Sequence, residues 1–230
     1  MKCAILCGGL ATRLRPLTDH MPKSLVDVNG KAFLFHQFEL LKTQGVTDVV
    51  LCLGHYGNDI AGATAIGYDY GLHVEYSHDG DQLLGTGGVL GTAGALRNAL
   101  PFLGDMFYVL YGDSYLDGCH YRDVAAAFKN SGRLAMMTVC RSNRSNAIYA
   151  DGQIMLYDKR IRHPYMAHID YGLSVMHRSA LDGDESDLAD VYHKLSQCKQ
   201  LAGYEVQSKY HSIGSFEGLE ETRNYLKGKQ

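Results

Sequence analysis

Two short segments near the start of the chain carry residue types suited to holding a string of phosphates. An apolar run, Cys3-Ala4-Ile5-Leu6-Cys7, leads into Gly8-Gly9-Leu10-Ala11-Thr12-Arg13-Leu14-Arg15-Pro16-Leu17-Thr18, and Pro22-Lys23-Ser24-Leu25-Val26 follows. Glycines directly after a strand bare their backbone N–H groups, because no Cβ blocks an approaching anion. Arg13 and Lys23 then place two cations beside those amides. The loop is neither the G-x-G-x-x-G dinucleotide fingerprint nor a Walker A loop, since no G-K-[ST] closes it. A structural turn with an incidental arginine would not repeat the cationic theme at Lys23.

Other segments can also do chemistry. Tyr111-Gly112-Asp113 ends an apolar run, and a carboxylate at the carboxyl end of a central strand faces the crevice where α/β sheets bind ligands. Asp117 nearby is a weaker candidate. Thr86 and Gly87, in Leu84-Gly85-Thr86-Gly87-Gly88-Val89, open a predicted helix whose first turn leaves N–H groups free. The plain alternative there is a glycine-rich helix start with no ligand. Lys159 and Arg160 form either a solvated face or an anion contact. The eleven histidines show no metal-ligand spacing, and His163 and His168 read as polar loop residues. No serine or cysteine sits in a nucleophile elbow.

The elements that must position these residues alternate. Cys3–Cys7, Val46–Leu53 and Phe107–Tyr111 are continuous apolar runs, the pattern of strands buried on both faces. Helices are predicted over Ala32–Lys42, Asn58–Ile66, Gly87–Leu100, Tyr121–Lys129, Leu188–Gln197 and Phe216–Leu226. Leu72, Val74 and Tyr76 alternate with polar residues as in a half-exposed strand. Further strands are expected at Leu134–Cys140, Tyr171–His177 and Glu205–Tyr210. The polar stretch 141–170 reads as a hairpin-rich insertion over the site, with short strands at Ala147–Tyr149 and Ile154–Tyr157. The βαβ alternation predicts an α/β fold of three layers, α/β/α, around a mainly parallel Rossmann-like sheet, with residues 1–230 as one domain.

Composition narrows the partners. The charged fraction is 20% and the net charge −3, from 22 basic and 25 acidic residues, which argues against a nucleic-acid or anionic-membrane surface. No apolar run approaches the roughly 20 residues of a membrane span, and glycines and charges begin too early for a secretory leader. Six cysteines without a C-x-x-C pair, four of them in apolar strand-like runs, point to buried thiols in a reducing cytoplasm.

At its N-terminus the chain resembles the sugar-1-phosphate nucleotidyltransferases, which make nucleoside-diphosphate sugars. Their signature is a strand, G-G-x-G-T-R-L-x-P-L-T, then P-K-x-L; Gly8–Thr18 and Pro22–Leu25 follow it, and Gly30-Lys31-Ala32-Phe33-Leu34 is similar to the helix start beyond. Ala11 stands where the family usually has glycine. The Leu84–Gly88 segment resembles the family's base-recognition segment, often L-G-T-A-G. The resemblance covers most of the chain and is weakest over 141–170. It implies a three-layer fold of the glycosyltransferase-A-like type. It implies that Leu6, Gly8, Gly9, Ala11, Thr12, Gln82, Gly85, Thr86 and Gly87 hold the nucleotide, with Gln82 placed to read a base edge. Arg13 would bind the β- and γ-phosphates, Lys23 would bridge the α-phosphate and the sugar phosphate, and Asp113 would hold magnesium.

On the sugar side the resemblance implies Lys159 for the phosphate, and Asn146, Asp170 and Gly172 for the sugar. The family's second metal aspartate is replaced by Ser212 in His211-Ser212-Ile213-Gly214-Ser215. The opening Leu6-Cys7-Gly8-Gly9-Leu10 and the short length look most like small guanylyltransferases acting on mannose or heptose 1-phosphate. Thymidylyl-, uridylyl- and cytidylyltransferases share nearly all of these motifs. A non-catalytic nucleotide-binding homologue, motivated by Ser212, is the alternative of a different class, and a transferase of a non-sugar phosphate is a third. Family members commonly self-associate, so a homo-oligomer is an implied partner. No β-helix acyltransferase module is expected after the last helix.

Overall fold

A computed structural model describes residues 1–65, 70–80 and 90–229. The strands are β1 (Cys3–Leu6), β2 (Asp27–Val28), β3 (Lys31–Ala32), β4 (Asp48–Leu53), β5 (His73–His78), β6 (Met106–Tyr111), β7 (Ser114–Tyr115), β8 (Ala135–Arg141), β9 (Ala147–Ala150), β10 (Gln153–Tyr157), β11 (His168–His177), β12 (Leu201–Glu205) and β13 (His211–Ser212). The α-helices are α1 (Phe33–Thr43), α2 (Gly57–Ala65), α3 (Gly91–Ala99), α4 (Tyr121–Ser131), α5 (Leu188–Gln197) and α6 (Phe216–Lys227).

Among the described residues one large sheet runs in the order β5-β4-β1-β6-β11-β8-β12-β10-β9. β1 pairs in parallel with β4 and β6, β4 with β5, and β8 with β12. Only β11 and β10 oppose the common direction. The strand periodicity of two then sorts the apolar residues. Cys3, Ile5, Val49, Leu51 and Leu53 face α1, α2 and α4, while Ala4, Val50 and Cys52 face α3 and α5. Both faces are covered, which is why these strands read as unbroken apolar runs. The three-layer α/β/α, mainly parallel architecture is therefore as expected. A smaller core joins α6 to β2 and β13 through Val28, Ile213, Leu219 and Leu226.

Two expectations are corrected. The strand predicted at Glu205–Tyr210 lies instead at Leu201–Glu205. Leu201-Ala202-Gly203 has low strand propensity, but Gly203 leaves room for the Tyr149 ring; an added Cβ would lie 2.5 Å from it. His168 is not in a loop: it opens β11, is buried, and meets Glu205 Oε1 at 3.1 Å. In the 141–170 stretch, β9 and β10 form the predicted hairpin, and they extend the main sheet by pairing with β11 and β12. β5 is an edge strand, half-exposed as its alternation indicated.

Candidate active site

The carboxyl ends of β1, β4 and β6 converge because glycines let their backbones touch. A Cβ on Gly8 would lie 3.1 Å from the Gly54 nitrogen, and one on Gly112 would lie 2.8 Å from Cys7 Sγ and 2.9 Å from the Leu6 carbonyl. The loop after β1 turns at Ala11, which adopts a left-handed conformation (φ 51°, ψ 34°), and its carbonyl accepts a hydrogen bond from Thr18 Oγ1 at 2.9 Å. The φ of Ala11 explains why glycine suits this position.

A cavity of about 190 Å³ opens here, lined by Leu6, Gly8, Gly9, Lys23, Asp79 and Asp113 among others. Lys23 begins a single helical turn fixed by Pro22 (φ −70°), and its Nζ meets Asp113 Oδ2 at 2.5 Å. Asp113 is held from three sides. Gly112 lets it pass Cys7; the buried Gln37 amide donates to the carbonyls of Tyr111 and Ser114, at 2.9 and 2.8 Å; and Ile213 N–H donates to its carbonyl at 2.9 Å. Pairing of β13 with β7 brings Ser212 and Gly214 to the same place. A Cβ on Gly214 would lie 3.2 Å from Arg13 Nη2, 3.3 Å from Ser212 Oγ and 3.5 Å from Asp113 Oδ2. Cys7 is part of the wall, but burial pushes its thiol up to about 12, so it stays protonated at neutral pH.

Asp113 supplies one hard carboxylate and Ser212 only a neutral hydroxyl. Among the described residues no group of three or more His, Cys, Asp or Glu could hold a metal ion. Magnesium usually takes one or two carboxylates, with phosphate oxygens and water for the rest. The donor set thus fits an ion that arrives with a polyphosphate. Asp117 is not available to it, because it accepts from Tyr225 Oη at 2.8 Å and pairs with Lys229.

The second group of predicted residues also assembles. β11 carries a register irregularity between Asp170 and Ser174, where Gly172 adopts φ +107°. Such bulges re-aim side chains. Asp170 Oδ1 accepts from Gly172 N–H at 2.9 Å, and Asp170 N–H donates to Asn146 Oδ1 at 3.0 Å. Burial raises the Asp170 carboxyl to about 6, while the Gly172 amide and the nearby Lys159 ammonium pull it down. Arg160 is engaged by Asp190 at 2.7 Å. Lys159 lines a cavity of about 150 Å³ that includes Asp187. Asp187 accepts from Thr92 Oγ1 at 3.1 Å, and Thr92 lines the Gly8–Gly9 cavity, so the two clusters are neighbours.

Not every predicted residue falls on these walls. Ala11 and Thr12 lie on the loop but do not line the Gly8–Gly9 cavity, and Arg13 faces an adjoining one. Gln82, Gly85, Thr86 and Gly87 lie outside the described residues. Four wall or support residues were missed. The run Leu90-Gly91-Thr92-Ala93-Gly94 is a second L-G-T segment, closer to L-G-T-A-G than Leu84–Gly88, and Gly91 and Thr92 line the cavity. Gly91 adopts φ +72°, and a Cβ added there would lie 2.3 Å from the Ser186 carbonyl oxygen, so glycine is required on both counts. Gln37 was visible as a lone amide among Phe33, Leu34, Phe38 and Leu41. Asp79, just past β5, is 8% exposed, with its Oδ1 unpaired among the described residues and its carboxyl raised by burial to about 6.

Bare amides, fixed cations and a carboxylate gathered beyond the carboxyl ends of parallel strands are what α/β proteins use to bind phosphorylated ligands. Comparison with known proteins gives the lineage. The chain belongs to the nucleotidyl transferase family, whose profile matches residues 2–149. It is 29% identical to a mannose-1-phosphate guanyltransferase of Schizosaccharomyces pombe, over 99% of this chain and 63% of that protein. It is 35% identical to a D-glycero-alpha-D-manno-heptose 1-phosphate guanylyltransferase of Campylobacter jejuni, over 51% of this chain and 49% of that protein. Its fold is similar to HddC from Yersinia pseudotuberculosis complexed with GMP-PN (TM-score 0.79, 21% identity, 98% and 99% of the two chains). The matches span from about half to about two thirds of the curated relatives' length in these cases. Among the described residues no helix is long and apolar enough to cross a membrane.

Proposed function

We propose that the protein is a magnesium-dependent sugar-1-phosphate nucleotidylyltransferase that prefers GTP. It would join the triphosphate to a sugar 1-phosphate, manno-configured or heptose, and release pyrophosphate, supplying precursors for glycan, capsule or lipopolysaccharide synthesis. The observation that carries this reading is the Lys23–Asp113 pair, 2.5 Å apart beside the bare Gly8–Gly9 amides and adjacent to the Asn146–Asp170–Lys159 cluster.

The roles follow from charge. Amides at Gly8 and Gly9 and the Arg13 guanidinium hold the triphosphate, the planar guanidinium fork matching phosphate oxygens bidentately. Lys23 lies between the α-phosphate and the incoming phosphate; Lys159 holds the latter, and Asp170 with Asn146 orients the sugar. A phosphate monoester is already mostly dianionic at neutral pH (second pKa about 6). Its oxygen therefore attacks the α-phosphorus without a general base. The barrier is the meeting of two anions, which fixed cations lower by neutralising charge and setting geometry. Bound magnesium, held by Asp113, would supply further charge neutralisation.

The preference for GTP is supported by Asp79. A buried carboxylate with a free acceptor oxygen is matched by a base edge with adjacent N–H donors. Guanine offers two, N1–H and the N2 amino group, whereas uracil and thymine offer one. The test is pyrophosphate release from GTP, UTP, dTTP and CTP with mannose and heptose 1-phosphates and magnesium; GTP is expected to be fastest. Ser212 favours a second reading, a homologue that binds nucleotide without turnover. Tight GTP binding with no pyrophosphate from any pair would select it.

A further inference from the structure

A second, wider cavity shares only Arg13 with that scheme. It measures about 760 Å³ and lies between the segment after β8, residues 206–210 and the start of α6. Four cations line it: Arg13, Arg141, Arg144 and Lys209. Arg141 meets Glu205 at 3.4 Å and Lys209 meets Glu221 at 2.7 Å. Arg13 and Arg144 make no ion pair among the described residues, and Glu217 is the remaining wall carboxylate facing them. The wall therefore keeps an excess of positive charge. Ser142 Oγ accepts from Arg144 N–H at 3.0 Å, which leaves its own hydrogen free to donate.

This compartment meets the reaction centre at Gly214, where Arg13 Nη2, Ser212 Oγ and Asp113 Oδ2 approach one point. Asp113 lines the smaller cavity and Arg13 the larger, so a phosphate chain passing between them would run from one to the other.

We propose that the large cavity receives the leaving pyrophosphate, held by Arg144 with Arg13 and, secondarily, Lys209. This rests on the nucleotidyl-transfer reading above. In that step the sugar-phosphate oxygen bonds to the α-phosphorus while the bond from the α-phosphorus to the bridging oxygen breaks. The electron pair leaves with pyrophosphate, and no proton need move. The expelled polyanion meets guanidinium forks that match its oxygens, in a volume wide enough to keep part of its hydration shell.

The test uses Arg144→Gln and Lys209→Gln, singly and together. Both side chains are exposed, so the variants should melt as the wild type does. With GTP and mannose 1-phosphate as substrates, the inhibition constant for pyrophosphate is expected to rise about tenfold in Arg144→Gln, the loss of a charge-assisted contact, and further in the double variant. The KM for either substrate should change less than about twofold. Calorimetric titration with pyrophosphate alone should show the same weakening. Unchanged inhibition and binding constants overturn the proposal, as does a KM for GTP that rises in step with the inhibition constant. A wild type that releases no pyrophosphate from any triphosphate overturns the parent reading instead, and the calorimetric arm still decides the cavity.

Discussion

Replacing Asp79 by asparagine should exchange one nucleotide for another. The carboxylate lies almost wholly inside the Gly8–Gly9 cavity wall, with Oδ1 unpaired among the described residues. If it accepts from guanine N1–H and N2–H, each charge-assisted bond contributes roughly 1.5–3 kcal/mol. Losing both the charge and one acceptor then costs about 3–5 kcal/mol, on the order of 10²–10³ or more in kcat/KM for GTP. The asparagine amide also turns an N–H toward the guanine amino group, which is repulsive. Xanthine carries a carbonyl at that position, so the same amide becomes complementary to it. The assay is steady-state pyrophosphate release from GTP and XTP for wild type and Asp79→Asn at saturating sugar phosphate. The wild type should prefer GTP and the variant XTP. A variant whose GTP-to-XTP ratio matches that of the wild type would refute the reasoning, because no structural softening of the site can leave that ratio unmoved while the base edge loses its reader.

Three further outcomes are expected. Lys23→Ala should lower kcat by about 10²–10³, as removal of a preorganised charge contact does, while costing no more than about 1 kcal/mol of stability for a partly exposed pair; near-normal turnover removes its role. Ala11→Gly should stabilise by about 0.5–1 kcal/mol, since a non-glycine left-handed residue costs about 1–2 kcal/mol and unfolded-chain entropy returns part of that; a lower melting temperature contradicts the strain at φ 51°. Asp170, whose carboxyl is raised to about 6, holds its proton in the native state where the unfolded chain has lost it. Its contribution is full below about pH 4 and is lost as pH rises through about 6. Asp170→Asn keeps an acceptor for Gly172 N–H and does not titrate. It should therefore raise the melting temperature relative to wild type at pH 8 more than at pH 4; equal shifts at both exclude the linkage.

What could be read from the chain follows a physical rule. Strands buried on both faces, such as β1, β4 and β6, announce themselves because two helical layers demand unbroken apolar runs. The loop after β1 was legible because its glycines and its arginine stand together in one short stretch directly after an apolar run. β12 was not, since its centre is the small side chain that Tyr149 requires above it, a constraint written in a distant strand. Asp79 carries no such local signal, standing in Asp79-Gly80-Asp81, a run of turn-forming residue types. Its burial depends on Gly8 and Gly54, which approach only after the sheet has formed. Gln37 and the second L-G-T segment carried visible signals. A buried amide on an apolar helix face needs partners, and these turn out to be carbonyls on either side of Asp113.

That placement bears on how one carboxylate can serve where a second is replaced by Ser212. Asp113 cannot drift toward solvent: Gly112 seats it against Cys7, Gln37 fixes the carbonyls before and after it, and the β7–β13 pair ties its own carbonyl to Ile213. Preorganisation of this kind removes the cost of ordering a ligand when substrate binds. Lys23 pairs with the carboxylate between substrates, and an entering triphosphate offers Lys23 a more highly charged partner than Asp113. Exchange of that partner frees an Asp113 oxygen at the moment phosphate oxygens arrive beside it. A loosened Asp113, rather than a lost charge, is therefore the sensitive point: Gln37→Leu, which keeps every charge in the cavity and strands the two carbonyls, should depress kcat more than the KM for either substrate. Equal kcat with raised KM would place the restraint on binding alone.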